Sequence, residues 1–180
     1  MTSLPDAQLS HLGLNVRDMR AMVDFYTRML GMQIVDSGVM GGRELTFLTR
    51  SVDEQHQLVM ATDPAGTRPG LSAVLQISFR LRTLEDLRTY HAFLAREKVN
   101  GLEGRDHGNS WSLYFFDPEG NKIELYVATP WYVSQPWRAP LDLAEPAESI
   151  VAQTAKRMKD NPTSRPVADW EADMRKRLGA

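Results

Sequence analysis

The chain has 180 residues, 42% of them hydrophobic and 24% charged, with a formal charge of -2. That length corresponds to about one domain and suffices to bury a core. The balanced charge speaks against a nucleic-acid surface, and the absence of cysteine excludes disulfides, thiolate zinc sites and a cysteine nucleophile.

No apolar run approaches the roughly 18 residues needed to cross a bilayer. Met1 to Ser10 lacks the pattern of a signal peptide. A soluble cytoplasmic protein, without nucleic-acid or membrane partners, is therefore expected.

Alternating apolar and polar residues predict a first strand over 11–16. Asp18 can cap a helix running to about Leu30, with Met22, Phe25, Tyr26 and Met29 on one stripe. Gly31 stands where a left-handed helix stop belongs. Strands are expected over about 32–36, 44–50 and 56–61, the first turn made by Gly41-Gly42, and Asp63 to Pro69 reads as a linker. A strand over 74–81 then leads to Thr83, which forms an approximate capping box with Asp86. The helix it opens runs to about Lys98 and buries Leu84, Leu87, Phe93 and Leu94. Strands over about 102–106, 111–116 and 122–128 follow, the last two joined by the turn Asp117-Pro-Glu-Gly-Asn121. After Thr129 the prolines 130, 136, 140 and 146 interrupt regular structure, while Trp131, Tyr132 and Trp137 add apolar surface. Two short helices are expected over about 146–159 and 166–178, with Val167, Trp170, Met174 and Leu178 as a docking stripe on the second.

The order β-α-β-β-β thus occurs twice. His11 to Met19 lies over Gln76 to Leu84 at an offset of 65, and His56 to Thr62 over Ile123 to Thr129 at an offset of 67. The expected fold class is α+β: two βαβββ modules forming a curved mixed sheet around a cleft, followed by a Pro/Trp-rich C-terminal tail with short helices. Residues 1–129 would form the domain, with modules over 8–62 and 73–129, and 130–180 the extension. The repeat equates His11 with Gln76 and Gln57 with Glu124, so sheets curled about a pseudo-dyad would converge these four side chains. Imidazole and carboxylate together suit a divalent iron, manganese or zinc ion, whereas a glutamine carbonyl is a weaker, neutral ligand. His56, by strand alternation, should face the other way, and His91 lies within a helix; both read as structural.

The pattern resembles the vicinal oxygen chelate superfamily of glyoxalases, bleomycin-resistance proteins and extradiol dioxygenases, over roughly residues 8–129. The resemblance is most specific from His107 through Leu113-Tyr114 and Asp117-Pro-Glu-Gly120 to Glu124, which is similar to the signature of small extradiol ring-cleavage dioxygenases. Arg105 stands where that signature usually has a smaller residue, and Thr129-Pro-Trp-Tyr132 resembles the exit from such domains. The resemblance implies that His11 and Glu124 are metal ligands, that His107 is an acid/base group near dioxygen, and that Tyr114 hydrogen-bonds the substrate oxygens.

One position departs from the pattern: Gln76 stands where active extradiol enzymes place a second histidine ligand, although glutamine serves as a ligand in glyoxalase I-like relatives. The implied set is therefore His11, Gln76 and Glu124, with Gln57 as a further candidate. The function implied is Fe(II)- and O₂-dependent cleavage of a catechol-like aromatic, with Trp111, Phe115 and Phe79 as candidate pocket walls. Two other readings stand beside it. One is a glyoxalase-like isomerase or lyase using Mn(II), Zn(II) or Ni(II); the other is a non-catalytic, metal-free binder of aromatic ligands, for which Gln76 speaks. A homodimer is expected, and a monomer in light scattering at micromolar concentration would contradict it.

Overall fold

The computed structural model describes residues 11–54, 56–63 and 74–178. The contacts divide the chain into two compact units, one of residues 1–73 with 117–119 and one of residues 74–116 with 120–180. The predicted linker from Asp63 to Pro69 lies almost wholly outside the described residues.

In the first unit, β1 (Leu12–Val16), α1 (Met19–Leu30), β2 (Gln33–Met40), β3 (Arg43–Thr49) and β4 (Leu58–Thr62) follow one another. The sheet order is β1-β4-β3-β2, with β1 parallel to β4 and the other pairs antiparallel. The side chain of Asp18 accepts from the Ala21 N–H at 2.9 Å and starts α1 as its position predicts. Gly31 stops it at φ +64, and the Arg50 guanidinium closes the end by donating to the Leu30 carbonyl. A side chain at Gly31 would meet that guanidinium, with Cβ only 2.8 Å from Nη1. The expected stripe of Met22, Phe25, Tyr26 and Met29 is buried, together with Leu48, Leu58 and Met60. The outer strand β2 is exposed along its whole length and shows Ile34, Val39 and Met40 to solvent.

The second unit repeats the order with β5 (Ile77–Arg80), α2 (Leu84–Arg96), β6 (Glu103–Asp106), β7 (Ser110–Phe116) and β8 (Lys122–Ala128). The capping box between Thr83 and Asp86 is present in both directions. Strand β5 runs parallel to β8 as β1 does to β4, and both strands of each pair are displaced by the same 65 residues, Leu12↔Leu58 against Ile77↔Ile123. The chain is α+β, with mixed sheets built from the repeated unit.

The extension adds β9 (Trp131–Tyr132), β10 (Ala139–Pro140), α3 (Ala147–Lys159), β11 (Arg165–Pro166) and α4 (Val167–Leu178). Strand β10 extends the second sheet to the order β10-β6-β7-β8-β5, while β11 pairs with β9. The two helices fall where the pattern put them; the three two-residue strands carry no periodicity by which to foresee them. Trp170 on α4 stacks on Tyr132 with ring centroids 5.7 Å apart, so this member of the stripe docks within its own unit.

A buried polar group holds the extension to the sheet. Asp106, fully buried, accepts from the Thr154 hydroxyl at 2.8 Å, the Arg157 guanidinium at 2.9 Å and the Gly108 N–H at 2.8 Å. Thr154 in turn accepts from the Trp111 indole N–H at 2.8 Å. Gly108 has φ +73, and a Cβ there would lie 2.6 Å from Val133 and 2.9 Å from Met158. Both its backbone conformation and the tight approach of the extension therefore require glycine.

Candidate active site in the second unit

Strand β8 carries Glu124 between two neighbours, and the ladders set Tyr114 of β7 and Ser78 of β5 directly beside it. Directly opposed residues share a sheet face. On β7, alternation sends Tyr114 to the Glu124 face and Trp111, Leu113 and Phe115 to the other, where all three are buried. Trp111 and Phe115 are thus core residues and not pocket walls on the Tyr114 face; Phe79 is half-buried.

A carboxylate 7% exposed needs hydrogen-bond partners. The Tyr114 hydroxyl donates to Oε1 of Glu124 at 2.6 Å, and Oε2 receives the Ser78 hydroxyl at 2.5 Å and the Gln76 amide N–H at 2.9 Å. Tyr114 also lies 3.0 Å from Nε2 of His107, whose Nδ1 is 3.1 Å from the Trp137 carbonyl. A carbonyl only accepts, so Nδ1 carries a proton and Nε2 is the nitrogen turned to the phenol. The Lys122 ammonium sits 4.2 Å above the Tyr114 ring.

Burial pushes the Tyr114 phenol above its ordinary range, and the hydrogen bond and charge of Glu124 push it further. Tyr26 is shifted the same way by burial and by Asp117, to which its hydroxyl donates at 3.1 Å. The fold favours the neutral phenol in both cases. Their contribution to stability is complete below about pH 10 and is lost as the pH rises from there toward the folded-state value. Tyr114→Phe is accordingly expected to leave the phenolate absorbance at pH 11 unchanged in the folded protein. A drop of one phenolate equivalent at 295 nm would show that Tyr114 ionises normally.

His107, Tyr114, Glu124 and Gln76 are brought together in one hydrogen-bonded chain. His11 belongs to the first unit, where it is exposed and its ring lies 4.6 Å from that of His56. Gln57 is engaged elsewhere, its side-chain oxygen accepting from the Arg50 N–H at 2.9 Å. The common 65-residue displacement of the ladders makes Val59, not Gln57, the counterpart of Glu124. The sequence offset of 67 for the last strands is too long by two residues, a slip that keeps the face and so escapes the hydrophobic pattern.

Ser78 and Lys122 were not among the expected site residues. Each stands two residues from one that was, Gln76 and Glu124 respectively, so strand alternation points to both. The Trp137 carbonyl has no such signal, because any residue offers one.

Among the described residues, no three His, Asp or Glu side chains form a metal-binding group. The set read from the sequence contains an amide, and two of its members, Gln76 and Glu124, stand side by side in the second unit. A carboxylate offers about four lone-pair directions. Three on Glu124 accept hydrogen bonds, which leaves one on Oε1. The Gln76 amide uses its N–H groups toward Ser78 and Glu124, and its carbonyl oxygen is unengaged among the described residues.

The sequence model of the glyoxalase/bleomycin resistance protein/dioxygenase superfamily matches residues 8–125. Biphenyl-2,3-diol 1,2-dioxygenase 3 of Rhodococcus globerulus is 33% identical over 141 residues, covering 72% of this chain and 68% of that enzyme. The metallothiol transferase FosB of Staphylococcus epidermidis is 28% identical over 124 residues, covering 67% of this chain and 82% of its own. A solved glyoxylase/bleomycin resistance protein/dioxygenase domain from Frankia sp. EAN1pec has the same fold, with a TM-score of 0.57 at 22% identity over 71% of this chain and 100% of that one. A family model covering most of the chain and a dioxygenase one-third identical agree with the doubled βαβββ unit: the chain belongs to the glyoxalase/bleomycin resistance protein/dioxygenase superfamily.

Proposed function

We propose that the protein is an extradiol-type dioxygenase that cleaves a catechol-like aromatic with Fe(II) and O₂. The observation that carries this reading is the chain His107–Tyr114–Glu124, in which a buried carboxylate, a phenol and an imidazole stand at hydrogen-bond distance. The similarity to a biphenyl-2,3-diol dioxygenase supports the substrate class.

Glu124 and Gln76 would hold the metal, with His11 of the first unit as the third ligand that the family resemblance implies. When bound, Fe(II) supplies the electron path between a catecholate and O₂, which requires open coordination positions. Tyr114, held neutral by its surroundings, acts as a hydrogen-bond donor, turning its one proton from Glu124 to a substrate oxygen, and not as a base. His107 presents Nε2 to the phenol at 3.0 Å and moves the proton that the catechol gives up and the cleaved product takes back.

The test is anaerobic reconstitution with Fe(II), followed by oxygen uptake with biphenyl-2,3-diol and simpler catechols. Iron near one equivalent with uptake in proportion to substrate is the expected result. Tight Mn(II), Zn(II) or Ni(II) binding without oxygen uptake would replace it with the isomerase or transferase reading, which the similarity to FosB favours. Failure to bind any metal would leave a binder of aromatic ligands.

A further inference from the structure

Three hydrogen bonds close a ring around the backbone of His107. Its Nδ1–H donates to the Trp137 carbonyl at 3.1 Å, and its own carbonyl accepts from the Gln135 side-chain amide at 2.9 Å. The Gln135 side-chain oxygen in turn accepts from the Trp137 N–H at 2.9 Å. One side chain therefore ties the residue that turns the imidazole to the residue that carries it. The same amide reaches Asn109 at 3.4 Å, and His107 and residues 135–138 line a cavity of about 440 Å³.

An imidazole on its own favours the form protonated at Nε2. Here the Trp137 carbonyl requires a proton on Nδ1, and which nitrogen of a neutral ring carries the proton is set by the partner of its neighbour. We propose that Gln135 is a positioning residue: through the Trp137 carbonyl it keeps a proton of His107 on Nδ1 and turns Nε2 toward the Tyr114 hydroxyl. The extension then belongs to the active site, as the part that sets the direction in which His107 moves a proton. The catalytic meaning rests on the dioxygenase reading; the placement of the proton does not.

The imidazole nitrogens of the ¹⁵N-labelled metal-free protein report the form directly, with His107→Gln identifying its signals among the four histidines. At a pH where the ring is neutral, the wild type is expected to show Nδ1 protonated. Gln135→Ala is expected to shift the population toward Nε2–H, and Gln135→Glu, which keeps only the acceptor for the Trp137 N–H, to lie between. In the iron-loaded enzyme Gln135→Ala should lower kcat by about tenfold with little change in KM, a part of the roughly 10²–10⁴-fold that a placed acid–base group contributes. A purely structural role would change the melting temperature and leave the nitrogen signals in place. Nε2–H in the wild type, or Nδ1–H retained in a folded Gln135→Ala, would overturn the proposal. The nitrogen measurement needs neither metal nor turnover, so a failed dioxygenase assay does not touch it.

Discussion

Glu124→Ala lowers Fe(II) affinity by more than about 100-fold and removes oxygen uptake while the fold survives. The bound comes from the loss of partners that only orient a ligand, which already costs about 10–100-fold. Glu124 is the anionic member of the proposed set, whose other members, His11 and Gln76, would be neutral donors. The fold survives because Gln76 and Ser78 are exposed and exchange the carboxylate for water, and Tyr114 still has His107 within 3.0 Å. Gln76→His works in the opposite direction: an imidazole replaces an amide carbonyl and tightens Fe(II). An exposed substitution outside the ladder of β5 moves stability by no more than about 0.5 kcal/mol. Anaerobic iron titrations of the three proteins, with melting temperatures alongside, give the comparison. Wild-type affinity in Glu124→Ala would remove Glu124 from the metal set.

Asp106→Ala destabilises the protein by about 3 kcal/mol, read as a lowered urea midpoint at unchanged slope. The Gly108 N–H and the Thr154 hydroxyl lose their acceptor inside the protein, and each such orphan costs about 1–3 kcal/mol. Arg157 is 30% exposed and turns to water, so the full penalty of an unpaired buried charge is not incurred. Thr154→Val costs less, because it removes one hydroxyl and leaves the Trp111 indole N–H as the main orphan. Equal midpoints for Asp106→Ala and the wild type would mean that α3 is not held by this group.

Most of the fold can be read from local signals. Asp18, Gly31, Thr83 with Asp86, and the turn at Asp117 each act within a few residues; both helices of the repeat begin, and the first ends, accordingly. The duplication is legible because two spaced alignments agree. What fails is of longer range. The offset at Gln57 slips by two because strand patterns repeat every two residues, and only the ladder of β1 with β4 makes Val59 the counterpart of Glu124. Trp111 and Phe115 suggest a pocket by their aromatic character, yet alternation on β7 sends them to the core once Tyr114 is fixed on the other face. Of the candidate site, Glu124, Tyr114 and His107 are legible as a spaced motif. The ring through Gln135 and Trp137 is not, because two of its three links use main-chain groups remote in sequence.

Gln76 lies one residue before β5, on the outermost strand of its sheet, whereas Glu124 is held between two neighbours. The two proposed ligands therefore differ in how freely they change over generations. Replacing Glu124 disturbs a buried carboxylate with three donors around it; replacing Gln76 disturbs one exposed amide. Glutamine and histidine codons differ only in their third base, so one point mutation separates this chain from the histidine-bearing pattern. On the proposed function, lineages on either side of that step would inherit the same scaffold, the same His107–Tyr114–Glu124 chain and the same ring through Gln135, and diverge first in the metal they select.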